Sequence, residues 1–161
     1  CSKGTAGSPG ELKGRFLSAH AIGTIRINGE NGVYGSTRAQ FAGQKMEVAF
    51  AQEVEAGDAE IWTTTSGETP RAYRVKIEKI SDADPRRNMV LRVVDRELLA
   101  QTGGIVQGMS GSPIVQNGRL VGAVTHVLVN DPTRGYGIFA QTMLEQAEIA
   151  AQRAQDTESS K

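Results

Sequence analysis

Gly103 to Gly122 reads G-G-I-V-Q-G-M-S-G-S-P-I-V-Q-N-G-R-L-V-G, and its punctuation decides how the rest of the chain is read. Ser110 stands between Gly108 and Gly111, where the backbone can take tight-turn or left-handed dihedrals that a Cβ resists. One hydroxyl is thereby lifted out of a bend. Pro113 ends the bend, Ile114 and Val115 start a strand, and Gln116 to Gly118 turn the chain onto Arg119. The expected product is an exposed serine on a glycine-built loop with a hairpin directly behind it. Such a loop can aim the N–H groups of Gly108 and Ser110 at one point, as an oxyanion hole requires. A serine in a glycine-rich turn also occurs as an ordinary bend of β proteins, so its surroundings must decide between the two.

Upstream of this loop, strands are expected at short, even spacing. Met46 to Ala51 alternates, Ala59 to Thr65 is β-branched, Tyr73 to Ile80 alternates strictly between apolar and charged residues, and Met89 to Val94 makes a fourth. Arg96 to Gln101 reads as a brief helical turn. After Ser110 come Ser112 to Val115, Arg119 to Val129 and Tyr136 to Ala140, with N-D-P-T-R-G between the last two. Period-two patterning with Gly, Asp and Pro punctuation indicates an antiparallel barrel of six or seven strands from Met46 onward. Before it, Phe16, Ile22, Ile25 and Ile27 lie in a β-leaning run that ends at N-G-E-N-G, with Gly32 to Thr37 as the return strand and Arg38 to Gln44 as a connector. A helix rich in Ala, Glu and Gln starts near Gln141, and D-T-E-S-S-K closes the chain as a frayed tail.

The chain has 161 residues, enough for one domain with a real core. Eighteen basic residues balance eighteen acidic ones, which argues against nucleic acid or an anionic membrane surface as the main partner. Nineteen glycines and few aromatics suit a turn-rich β protein. Cys1 is the only cysteine, so no internal disulfide can form. No metal-ligand or paired-carboxylate spacing appears, and no cofactor is expected. There is no apolar run of spanning length, and the opening C-S-K-G reads as a piece cut from inside something longer.

The order G-x-S-G-x-P, L-V-G-A-V, G-Y-G-I-F and terminal helix resembles the closing section of a chymotrypsin-like second barrel. More closely, G-G-I-V-Q-G-M-S-G-S-P-I-V-Q-N-G-R-L-V-G-A-V-T-H-V with V-N-D-P-T-R-G-Y-G-I-F, and S-P-G-E-L-K-G-R-F from Ser8 to Phe16, is similar almost residue for residue to the stage IV sporulation protein B serine peptidases of endospore-forming bacteria. The resemblance implies an all-β, trypsin-like fold. Residues 1–37 would be the remnant of a first barrel and linker, and residues 38–161 a complete second barrel with its helix. It also implies a serine endopeptidase that processes itself and cuts a membrane-associated regulator of sigma-factor processing. The full-length protein would be membrane-anchored, in the space between forespore and mother-cell membranes, and the present fragment soluble. A noncatalytic peptide-binding β-domain is the alternative.

By the same resemblance Ser110 attacks the peptide carbonyl, the N–H groups of Gly108 and Ser110 hold the oxyanion, and Thr125, His126 and Val127 line the substrate strand, where their backbone can pair with an extended peptide. Asp95 is the acid that the family pattern nominates; as the residue before the Arg96 turn it also reads as a helix cap. A serine nucleophile needs a base. His20 precedes the serine in chymotrypsin-like order but falls where the family pattern holds no catalytic residue, and reads otherwise as an exposed loop histidine. His126 reads as a cleft-lining residue rather than the base. The catalytic histidine of the family pattern lies upstream of S-P-G-E, so the base is expected outside this chain.

Overall fold

The computed structural model describes all residues except 15–17, 41, 42, 44, 82, 85, 160 and 161, and of residues 157–159 the backbone alone. Six strands close a barrel: β3 (Gly57–Thr63), β4 (Arg71–Ile80), β5 (Met89–Val93), β6 (Pro113–Gln116), β7 (Arg119–Leu128) and β8 (Asp131–Phe139), in the order β3-β4-β5-β8-β7-β6. Every neighbouring pair is antiparallel. Ahead of it stand β1 (Gly23–Gly29) and β2 (Gly32–Thr37), a separate two-stranded ribbon. Helix α1 (Arg96–Thr102) joins β5 to the serine loop, and α2 (Ala140–Ser159) follows β8 and packs on the ribbon and on β7. The expected all-β barrel with a C-terminal helix is therefore what this chain forms.

The alternation that marks the strands also sorts their side chains. Ala59, Ile61 and Thr63 of β3, Tyr73, Val75 and Ile77 of β4, and Met89, Leu91 and Val93 of β5 all turn inward and are buried. The intervening residues are mostly charged and face outward, with Asp58 and Lys76 in register across β3 and β4 and 3.9 Å apart. Closure rests on a short seam, Glu60 opposite Val115 and Ile61 opposite Ile114. Beside it the buried Gln116 side chain donates to the carbonyls of Glu55 (3.0 Å) and Asp58 (3.2 Å) and accepts from the Glu55 N–H (3.1 Å). A side-chain amide thus satisfies backbone groups that the short strand leaves unpaired.

Strands β3, β4 and β6 fall within two residues of the sequence expectation, and three other stretches differ by more. Met46 to Ala51 is not a strand: Val48 makes one parallel bridge to Leu120, the backbone of Glu47 and Ala49 bonds to Leu120, and Ala51–Glu53 coils into a single 3-10 turn. Only Ala49 of that stretch is buried, so the alternation there has no second sheet face to cover. Strand β8 begins at Asp131 rather than Tyr136, because Asp131 already pairs with Leu128 across a two-residue turn and Arg134 and Gly135 pair with β5. Helix α2 runs through Asp156 and Thr157 to Ser159 where a frayed tail is expected. Phe16 and part of the Arg38 to Gln44 connector lie outside the described residues.

Candidate active site

Helix α1 delivers the chain to the serine loop. Asp95 is its N-cap: Oδ1 accepts from the N–H groups of Glu97 (2.9 Å) and Leu98 (3.2 Å), and Oδ2 from that of Arg74 (3.3 Å), with the Arg74 guanidinium 3.7 Å away. Burial alone raises this carboxyl, but the three N–H bonds and the Arg74 charge outweigh it and hold the group below its ordinary value. At the far end Gly103 caps α1 in the left-handed conformation and Thr102, buried, donates its hydroxyl to the Leu98 carbonyl at 3.0 Å. Asp95→Ala is expected to cost about 1 kcal/mol in urea unfolding, largely restored by Asp95→Ser. Because the folded carboxyl titrates below its unfolded value, that contribution is complete above about pH 4 and is lost as pH falls through the lowered folded value. The gap between wild type and Asp95→Ala should therefore close in acid; a gap that persists at low pH would rule out the carboxylate as its source.

Beyond α1 the loop is tied down on every side of Ser110. Met109, wholly buried, donates its N–H to Val106 (3.1 Å), Ser112 to Met109 (3.0 Å), and Gly111 to Val124 (2.8 Å), while the Val124 N–H returns to Ser112 (2.9 Å). Gly108 and Gly111 have φ of 104° and 88°, the region that a side chain disfavours. Ser110 itself is exposed. Its Oγ donates to the Thr125 carbonyl on β7 at 2.6 Å. Among the described residues, the N–H groups of Gly108 and Ser110 have no acceptor. An exposed hydroxyl with two uncommitted amides beside it can receive a carbonyl and its developing charge.

A cleft of about 300 Å³ opens on this hydroxyl. One wall is β7, from Ala123 to His126; the other is the turn of the β1–β2 ribbon, from Gly29 to Tyr34, with Ile138 and Met143 at its base. Thr125 is half-buried and its Oγ1 donates to the Tyr136 carbonyl at 3.2 Å. A bulge at Thr125 interrupts the β7–β8 register between Val124 and His126. Beyond Val124 the other edge of β7 has no partner strand among the described residues, which leaves it open to an extended peptide. Sequence reasoning missed the ribbon turn as a wall of this cleft. N-G-E-N-G announces a turn, but nothing local says which surface the turn reaches.

Neither histidine is bonded to the hydroxyl, although His126 shares its cleft. His20 is exposed and bonded to Ser18, Nδ1 to Oγ at 3.1 Å, and His126 is exposed on β7; neither makes a hydrogen bond to Ser110. Asp95 likewise makes no bond to Ser110, His20 or His126, its oxygens being engaged by Arg74, Glu97 and Leu98. The structure therefore brings together Ser110, Gly108, Thr125 and His126, and leaves Asp95 and His20 outside that group; the Val127 side chain packs on the core, so only its backbone can serve the substrate strand.

No curated protein matches the chain. Among solved structures it is similar to Rv3671c from M. tuberculosis H37Rv in the inactive form of a serine-to-alanine mutant, with 16% identity and a TM-score of 0.47 over 80% of this chain and 64% of that one. It is also similar to the active form of the Rv3671c protease, with 17% identity and a TM-score of 0.47 over 77% of this chain and 56% of that one. The chain thus spans less than two thirds of the length of either. The family model of the SpoIVB peptidase S55 matches residues 1–144, which include the barrel, the serine loop and the cleft strand; the chain belongs to this family and is a serine peptidase domain.

Proposed function

We propose that this chain is the nucleophile-bearing part of a sporulation signalling endopeptidase, with Ser110 as nucleophile and the N–H groups of Gly108 and Ser110 as the oxyanion hole. Thr125, His126 and Val127 receive the substrate as an added strand. Asp95, which the family pattern nominates as the acid, enters through its place at the start of α1, the helix that sets where the serine loop begins. The base comes from a segment outside these 161 residues. In the full-length protein the substrates are the enzyme itself and a membrane-associated regulator of sigma-factor processing, cut between the forespore and mother-cell membranes. Among the described residues no helix is long and apolar enough to cross a membrane. The observation that carries the reading is the exposed Ser110 hydroxyl beside two amides that have no acceptor among the described residues.

Covalent labelling with a fluorophosphonate tests it. The full-length protein is expected to label stoichiometrically at Ser110 and the isolated chain at least about 100-fold more slowly, since general-base assistance is typically worth 10²–10⁴. His20→Ala is expected to leave the full-length rate within about threefold, as for an exposed loop residue without a catalytic role. Rapid labelling of the short chain that His20→Ala cripples would place the base within it and overturn the proposal.

A further inference from the structure

The segment ahead of the ribbon, rich in Gly, Ser and Lys, is bonded to the start and the middle of the stretch that leads to Ser110. Ser2 and Glu11 exchange backbone hydrogen bonds at 2.6 and 3.1 Å, and Thr5 and Ser8 at 2.7 and 2.9 Å, so residues 2–11 form a small looped hairpin. It is fastened to the barrel at three points. The Gly4 N–H donates to the Thr102 carbonyl (2.6 Å), that of Gly7 to Val129 (2.7 Å), and that of Leu12 to Gln107 (2.8 Å). Leu12 packs on the hydrophobic core, and its Cβ would stand 2.7 Å from any Cβ placed at Gly108.

The third fastening has a chemical consequence. The peptide group joining Gln107 to Gly108 is planar and trans, so its C=O and N–H point in opposite directions. Leu12 holds the C=O on the hairpin side. The Gly108 N–H must then face away from the hairpin, and it has no acceptor among the described residues. We propose that residues 2–12 are a positioning strap for the oxyanion hole, in which the Leu12 N–H locks the Gln107–Gly108 peptide in the orientation that presents the Gly108 N–H to substrate. At φ of 104° Gly108 is free to let this peptide rotate once the lock is removed, since glycine resists few backbone conformations. The inference rests on the assignment of Ser110 and Gly108 above, and makes Leu12 a positioning residue that never touches substrate.

Leu12→Pro in the full-length protein removes the donor, and replacing the same amide by an ester removes it while keeping the leucine side chain. Either change is expected to lower kcat about 100-fold, the loss seen when one oxyanion donor is removed, with KM within about threefold. The affinity of a peptidyl trifluoromethyl ketone, which forms the charged tetrahedral adduct, should fall by a similar factor. Binding of the uncleaved peptide, measured in the Ser110→Ala background, should not change, a split that general loosening of the fold would not produce. If kcat and ketone affinity stay within about threefold in the ester variant, the strap proposal fails. Cleavage that survives Ser110→Ala would instead bring down the nucleophile assignment, so the two failures are distinguishable.

Discussion

Ser110→Ala in the full-length protein is expected to lower kcat for peptide cleavage by about 10⁶, the size of loss that accompanies removal of the serine from a serine peptidase. The expectation follows from position. Ser110 is the hydroxyl exposed in the cleft between β7 and the ribbon turn, on a loop anchored by the buried Met109 and by reciprocal bonds to Val124. The other serine of that loop, Ser112, does not line the cleft and begins the approach to β6. The fold should be indifferent to the change, because the one bond lost is that from Oγ to Thr125 on the surface, worth about 1 kcal/mol. Peptide cleavage rates with the full-length protein, checked by circular dichroism for unchanged folding, give the answer. Residual turnover above about a thousandth of wild type would place the nucleophile elsewhere.

Gly122→Ala should be the most damaging single methyl group in the barrel, destabilising it by about 3 kcal/mol or more. Gly122 lies in β7 between Ile114 of β6 and Phe139 of β8. A Cβ there would overlap the Ile138 carbonyl oxygen and come within 2.7 Å of Met89 Cε. The methionine can swing aside, since an unbranched thioether adapts readily. The carbonyl cannot, because it belongs to the β7–β8 ladder, and moving it breaks pairing on the strand that carries Thr125 and His126. With m near about 2 kcal/mol/M the urea midpoint should drop by roughly 1.5 M. A midpoint within about 0.3 M of wild type, close to the uncertainty of such a measurement, would show that the ladder has more freedom than the packing implies.

Where a residue's surroundings are local, the sequence announced them. Tyr73 to Ile80 alternates because one face meets the core, and β4 forms there; Asn117 and Gly118 turn β6 into β7 with φ of 52° and 75°, as an N-G hairpin turn demands. Ser110 could be placed between turn glycines for the same reason. Long-range neighbours were another matter. Met46 to Ala51 carries a strand's alternation, but pairing needs a vacant edge, and with β6 and β7 closing the barrel beside it only the bridge to Leu120 remains. N-D-P-T-R-G reads as a link between strands, yet Asp131 pairs with Leu128, a long-range partner that nothing local in those residues announces. Leu12 gave no signal, because what matters in it is a main-chain N–H that every residue but proline possesses.

The bond from Ser110 to Thr125 has a kinetic meaning. A hydroxyl that commits its proton to a backbone carbonyl presents no activated lone pair, and the carbonyl, a far weaker proton acceptor than imidazole, cannot take that proton away. The resting oxygen is therefore parked rather than primed. A neutral hydrogen bond of about 1 kcal/mol delays its release by only about a factor of five, so under the proposed mechanism an imidazole base would meet only a shallow threshold before the reactive rotamer forms.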